Sequence, residues 1–223
     1  MKFCFFFGFI AVGLVFHMVE ANTVARFVYL WPILNLSLFA IAYGLNHPGL
    51  ILGKRPDGEI NPILCILNLP WLIFSWAVWT IQAWLNREAC MNRIGSSNIW
   101  IGRYPGIAYS KGDFDMVIDL TAEFPRPRDA PPNYICIPNL DGIQLKNTLS
   151  PRFRIRNQGK ILVHCAQGHG RSATWTALFL AKEEGFQSTG MAYETILISR
   201  PAAKVSNSQA RQLVDFDVHK SSE

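Results

Sequence analysis

The chain of 223 residues is half hydrophobic, only 17% charged, and carries a formal net charge of +5. Soluble domains hold roughly 25% charged residues. A uniformly solvated protein is therefore excluded, and an apolar excess confined to the first third divides the chain into a membrane region and one domain. The mild basic excess suits an anionic substrate or an anionic membrane surface, whereas the lack of a dense Lys/Arg stripe, a zinc-finger pattern or an RNP pattern argues against nucleic acid.

The membrane region covers residues 1–85 and offers two or three transmembrane helices. Phe3 to Val19 is rich in Phe, Val and Leu. Phe27 to Tyr43 has Trp31 and Pro32 near its start, and Pro62 to Leu85 contains Pro70 and an aromatic-rich half from Trp71 to Trp84. Each nears or exceeds the roughly 17–25 residues that cross a bilayer. Trp and Tyr near the ends fit interfacial anchoring, and Asn35 and Asn68 are amides placed to bond between helices. The first segment has a rival reading. Lys2, an apolar run and Val19-Glu20-Ala21 also describe a cleavable signal peptide. Cleavage leaves two spans and an external C-terminal domain; without it three spans put the chain ends on opposite sides. Between the second and third segments, Lys54 and Arg55 precede the turn signal Pro56-Asp57-Gly58 and read as a hydrophilic turn or a lipid head-group contact. They nearly balance Arg87 and Arg93 beyond the third segment, so the positive-inside rule does not fix orientation.

Residues 86–97 break the apolar run and read as a linker or juxtamembrane helix. The domain follows over residues 98–223. Asn98 to Ile101 is a short strand ending at Gly102, and Phe114 to Leu120 a second. Pro125 to Pro132 is a loop, Asn133 to Pro138 a third strand and Lys160 to His164 a fourth. Helical patterns run over Ser172 to Gly185, Ser188 to Ser199 and Asn207 to Val218. Strands alternating with helices predict an α/β fold, a sheet flanked by helices and preceded by the helical membrane region. Such sheets bind ligands at the C-terminal ends of their strands.

At that place in the fourth strand stands His164-Cys165-Ala166-Gln167-Gly168-His169-Gly170-Arg171-Ser172. A strand delivers a thiol into a glycine-rich loop that opens into a helix. Converging backbone N–H groups and the helix N-terminus make an anion hole, and the same field lowers the pKa of a cysteine. Arg171 adds a planar fork that fits two phosphate oxygens. A thiolate beside a phosphate cradle is a nucleophile aimed at phosphorus. The other cysteines, Cys4, Cys65, Cys90 and Cys136, form no disulfide framework and no zinc pattern.

These residues resemble the His-Cys-x5-Arg-Ser/Thr signature of the cysteine-dependent protein-tyrosine-phosphatase superfamily, in its dual-specificity branch. The resemblance runs from about Ile99 to the end. It includes Trp100-Ile101-Gly102 at the opening strand, and Arg200-Pro201, Gln209 and Leu213 in the closing helices. It implies that Cys165 attacks phosphorus to form a phosphocysteine. Arg171 and the loop Ala166, Gln167, Gly168, His169 and Gly170 would bind the phosphoryl oxygens, and an upstream loop would supply the general acid. Asp141, in Asn139-Leu140-Asp141-Gly142, stands at that point; Asp129 is the rival, while Asp113, Asp115 and Asp119 flank or lie within a strand. Ser172 would donate to the departing thiolate, and as a favoured N-cap it would also cap the helix that begins there; the two roles are compatible. His164 supports the loop, His169 meets substrate or is a plain loop residue, and Gln209 orients water or lies on a helix surface. No metal or other cofactor is implied.

Phosphorylated protein is the first substrate reading. Phospholipid is the second, since membrane tethering favours it while Ala166, Gln167 and His169 stand where lipid-specific relatives carry Lys or Arg. A third reading is a non-catalytic, phosphate-binding membrane adaptor. The expected protein is a multi-pass membrane protein in contact with membrane lipids, with its domain in the cytoplasm, because a reactive thiol needs a reducing compartment.

Overall fold

The computed structural model describes residues 2–106, 113–146 and 159–220. It divides into two compact units, Met1–Arg55 with Glu59–Asn86, and Pro56–Gly58 with Arg87–Glu223. The first unit is helical: α1 (Lys2–Glu20), α2 (Thr23–Gly44), α3 (Gly49–Leu52) and α4 (Pro62–Leu85). The side chain of Asn22 accepts from the Ala25 N–H and starts α2, and Asn61 accepts from the Ile63 N–H and starts α4, with Pro62 preset for the first turn. Helices α1, α2 and α4 are each long and apolar enough to cross a membrane.

Phe7, Phe39 and Trp71 pack together inside this unit, with the Phe7 and Trp71 rings edge to face at 4.8 Å. Phe9, Phe16, Phe27 and Trp84 point outward. The buried Asn35 amide donates to Asn68 Oδ1 at 2.8 Å, and Asn68 Nδ2 donates to the carbonyls of Leu50 and Ile51. The polar pair therefore satisfies itself within the bundle, as apolar surroundings require. The expected hydrophilic turn is only partly so: Arg55 is exposed and pairs with Glu59, but Lys54 is buried.

The second unit holds a mixed five-stranded sheet of β1 (Met91–Arg93), β2 (Ile99–Arg103), β3 (Met116–Thr121), β4 (Asn133–Asn139) and β5 (Ile161–Cys165), in the order β1-β2-β5-β3-β4. All neighbours pair in parallel except β1 with β2. Strand β1 corrects the reading of residues 86–97 as a linker or helix. Met-Asn-Arg is too short to show a period of its own, and its antiparallel pairing with Arg93↔Trp100 and Met91↔Gly102 makes it a strand. The central β5 and its neighbour β3 are buried at every position, as parallel strands covered on both faces are.

Helix α5 (Gly170–Glu183) packs Trp175, Ala177 and Phe179 into the core with Ile101, Ile118 and Val163, and α6 (Thr189–Ser199) and α7 (Asn207–Lys220) add Ile196 and Leu213. The parallel register sets Arg103 beside Cys165 and Asp119 beside His164. The sheet thereby gathers polar residues at the C-terminal end of its middle strand.

Candidate active site

Cys165 ends β5, and the loop from Ala166 to His169 returns the chain into α5. Gly168 makes the turn possible. Its φ is +74°, and a Cβ there would lie 2.3 Å from the Gly102 carbonyl carbon. The Gly168 N–H donates to Cys165 Sγ at 3.3 Å, and Ser172 Oγ lies 3.4 Å from the same sulfur. Ser172 does not cap the helix. Helix α5 starts two residues earlier at Gly170, with His169 in the cap position, and so Ser172 sits in the first turn facing the thiol.

Arg171 is 1% exposed, and its guanidinium is held from two sides. Nη1 and Nη2 donate to Glu123 Oε2 and Oε1 at 2.9 and 2.6 Å, and Nη1 donates again to the Asn139 carbonyl at 2.9 Å. Nε makes no hydrogen bond, and Asp141 Oδ1 stands 3.1 Å from it as an ion-pair contact. Burial works against the charged guanidinium, but Glu123, Asp141 and Cys165 outweigh it and hold the Arg171 pKa well above its ordinary value. One edge of the fork, Nε with the second hydrogen of Nη2, is thus left for an incoming anion.

Arg200, the residue after α6, fixes the loop from outside. Nε donates to the Gly168 carbonyl at 2.9 Å and Nη2 to the Gln167 carbonyl at 3.1 Å. In a trans peptide the N–H points opposite its C=O. Holding the Gln167 carbonyl outward therefore turns the Gly168 N–H inward to the sulfur, and holding the Gly168 carbonyl turns the His169 N–H away from Arg200. The Tyr104 N–H donates to the Ala166 carbonyl at 3.0 Å.

Behind Cys165 lies a buried polar cluster. His164 Nδ1 is 3.8 Å from Asp119 Oδ1, both side chains fully buried. Asp119 accepts from the Thr121 N–H and Oγ1, each at 2.7 Å, and from the Tyr134 hydroxyl. The Tyr104 ring stacks on Phe124 and tilts against His164, and its hydroxyl donates to the Pro125 carbonyl. Burial first, and Asp119 second, push the Tyr104 phenol far above its ordinary value.

Cys165, its loop, Arg171, Ser172 and Asp141 thus come together. Of the other aspartates, Asp115 accepts from the Lys160 N–H and Asp119 is committed to the buried cluster, while Asp113 and Asp129 are exposed. Gln209 is not on a helix surface. It is 1% exposed, accepts from the Ser206 N–H, and lies so near Gly170 that a Cβ there would meet its Oε1 at 3.1 Å. Among the described residues no group of His, Cys, Asp or Glu could hold a metal ion. Neither Glu123 nor Asn139 stands in a motif of its own; their sequence signal is position, at or just beyond the C-terminal ends of β3 and β4, where such sheets collect ligands.

Residues 99–219 match the family model of the dual specificity phosphatase catalytic domain. The solved structures similar to this one include a mouse protein described as a dual specificity phosphatase, determined with zinc tungstate, at 20% identity, TM-score 0.50, covering 62% of this chain and 95% of that one. A variant of human DUSP28 matches at 19% identity and TM-score 0.51, over 60% of this chain and 99% of that one. A mutant form of Tk-PTP matches at 21% identity and TM-score 0.50, over 59% and 97%. No curated protein sequence matches the chain.

Proposed function

The chain belongs to the dual specificity phosphatase catalytic-domain family, and from that premise we propose that it is a membrane-anchored phosphatase of phosphorylated proteins. In this reading residues 1–85 anchor the protein, and residues 98–223 carry catalysis on the cytoplasmic side. Cys165 Sγ attacks phosphorus, forming an S–P bond as the P–O bond to the alcohol or phenol breaks. The loop N–H groups and the Nε/Nη2 edge of Arg171, from which Asp141 moves aside, take the phosphoryl oxygens. Asp141 gives its proton to the departing oxygen, then takes one from the water that attacks the phosphocysteine. The S–P bond breaks, phosphate leaves, and Ser172 Oγ–H donates to the returning thiolate.

The observation that carries this reading is the Arg171 edge. Three of its hydrogens are committed to Glu123 and Asn139, while the buried Nε has no hydrogen bond and faces an exposed carboxylate. A phosphoryl oxygen at Nε would displace Asp141 Oδ1 toward the leaving group. The uncharged loop positions Ala166 and Gln167 favour phosphoprotein over phosphoinositide, and the three apolar helices support membrane tethering.

The test uses the full chain in lipid nanodiscs, assayed with phosphotyrosine, phosphoserine and phosphothreonine peptides beside phosphoinositide vesicles. Faster release from peptides is expected. Release from phosphoinositide alone would assign the site to lipid, and release from neither would reject the phosphatase reading.

A further inference from the structure

We propose that Glu88 is a positioning residue for the phosphate loop, one carboxylate oxygen locking His169 and Arg200 together. The inference rests on the reading of that loop as the phosphate site. Glu88 Oε2 lies 2.8 Å from His169 Nε2 and 3.3 Å from Arg200 Nη2. It therefore bridges the loop itself and the arginine that grips the loop carbonyls.

Arg200 is 1% exposed and uses every donor it has. Besides the Gly168 and Gln167 carbonyls, Nη1 reaches the Ala89 carbonyl at 3.0 Å and Asn92 Oδ1 at 2.6 Å, and Nη2 reaches Glu88. An arginine has five N–H donors, and these five acceptors fill them. Four are neutral; Glu88 alone is a carboxylate. Burial lowers the Arg200 pKa, the Glu88 and Cys165 charges work against that fall, and Arg103 adds to it. A buried guanidinium without its counter-charge is costly, and the groups it would drag are the Gly168 and Gln167 carbonyls, the latter in the peptide that aims the Gly168 N–H at the thiol. Glu88 stands just beyond α4, in the stretch before β1, so that a residue at the entrance to the domain governs how well the loop receives an oxyanion.

The experiment measures steady-state hydrolysis of a small aryl phosphate and competitive inhibition by tungstate. It uses the full chain in detergent, as wild type, Glu88→Gln and Glu88→Ala, each also in a His169→Ala background. Loop donors already hold the phosphoryl oxygens of the bound ester, so their misplacement raises KM and the tungstate inhibition constant. For the Glu88 variants KM and the tungstate inhibition constant should rise about 10- to 100-fold, the scale of one lost charge-assisted hydrogen bond. The factor should shrink in the His169→Ala background, because the two share one contact. Glu88→Gln, which keeps the shape, carries the test if Glu88→Ala does not fold. Unchanged tungstate inhibition in Glu88→Gln, or the same factor with and without His169, overturns the proposal. A wild type that neither hydrolyses the ester nor binds tungstate rejects the phosphate-site reading instead.

Discussion

Glu123 and Arg171 meet fork to fork, Oε1 and Oε2 accepting from Nη2 and Nη1 at 2.6 and 2.9 Å. The carboxylate is the main counter-charge of a buried guanidinium and fixes its plane, which decides where the Nε edge points. Glu123→Ala should therefore cost stability as well as rate, about 3–5 kcal/mol for stranding a buried charge. Glu123→Gln should cost less, since the amide keeps one acceptor. Thermal unfolding with parallel assays checks this, and a wild-type melting profile for Glu123→Ala would show that solvent, not Glu123, compensates Arg171.

Cys165→Ser should abolish turnover while leaving tungstate binding within a few-fold of wild type, because the loop N–H groups and Arg171 are untouched and only the nucleophile changes. Arg171→Lys should instead lose tungstate binding, since an ammonium cannot serve Glu123, Asn139 and an oxyanion at once. Equilibrium binding alongside turnover separates the two. Measurable turnover in clean Cys165→Ser would remove the sulfur from the mechanism.

Ser172→Ala tests the 3.4 Å approach of Ser172 Oγ to Cys165 Sγ. If that hydroxyl stabilises the departing thiolate, the loss falls on breakdown of the intermediate and not on its formation. With an acidic leaving group, kcat should drop about 10- to 100-fold, the value of a hydrogen bond to a charged group. A burst of alcohol should precede a slow steady state. Rapid-quench kinetics without a burst would leave Ser172 a packing role only.

The sequence marks the Cys165 loop plainly because its parts are contiguous: strand, Cys165, two glycines, Arg171 and helix. It places the three apolar helices well, since their length and hydropathy are local properties. It misses what depends on distant pairing. Strand β1 exists only because β2 lies beside it. Glu123 and Asn139 gain meaning only when β3 and β4 bring them to Arg171. Ser172 reads equally well as a cap, and only the earlier start of α5 turns it to the sulfur.

Tyr104 gives a pH-dependent prediction. Its folded pKa is raised by burial and by Asp119, whereas an unfolded tyrosine titrates near about 10. A group raised on folding contributes stability that is full below the unfolded value and is lost as pH rises through the folded one. Thermal stability of the wild type should thus fall above about pH 10, and Tyr104→Phe should flatten that fall. The variant should also lose about 0.5–1.5 kcal/mol at neutral pH with the Pro125 hydrogen bond. Melting temperatures across that range decide it, and identical slopes would assign the fall to other groups.

Asp141 is the residue whose role depends most on motion. Its side chain is 63% exposed and rests 3.1 Å from Arg171 Nε, on the edge proposed above for a phosphoryl oxygen. Gly142, at φ +72°, lets the turn beside it adopt that shape. As general acid, Asp141 should matter in proportion to how badly the leaving group needs a proton. Asp141→Asn should cost about 10²–10⁴-fold with poor leaving groups and far less with acidic ones. Because the carboxylate also competes for Nε, the same variant should bind tungstate at least as tightly as wild type. Catalysis and oxyanion binding would then move in opposite directions, which damage to the turn cannot produce. An equal, small loss across all leaving groups, with weaker tungstate binding, would reduce Asp141 to a turn residue and make Asp129 the next acid to test.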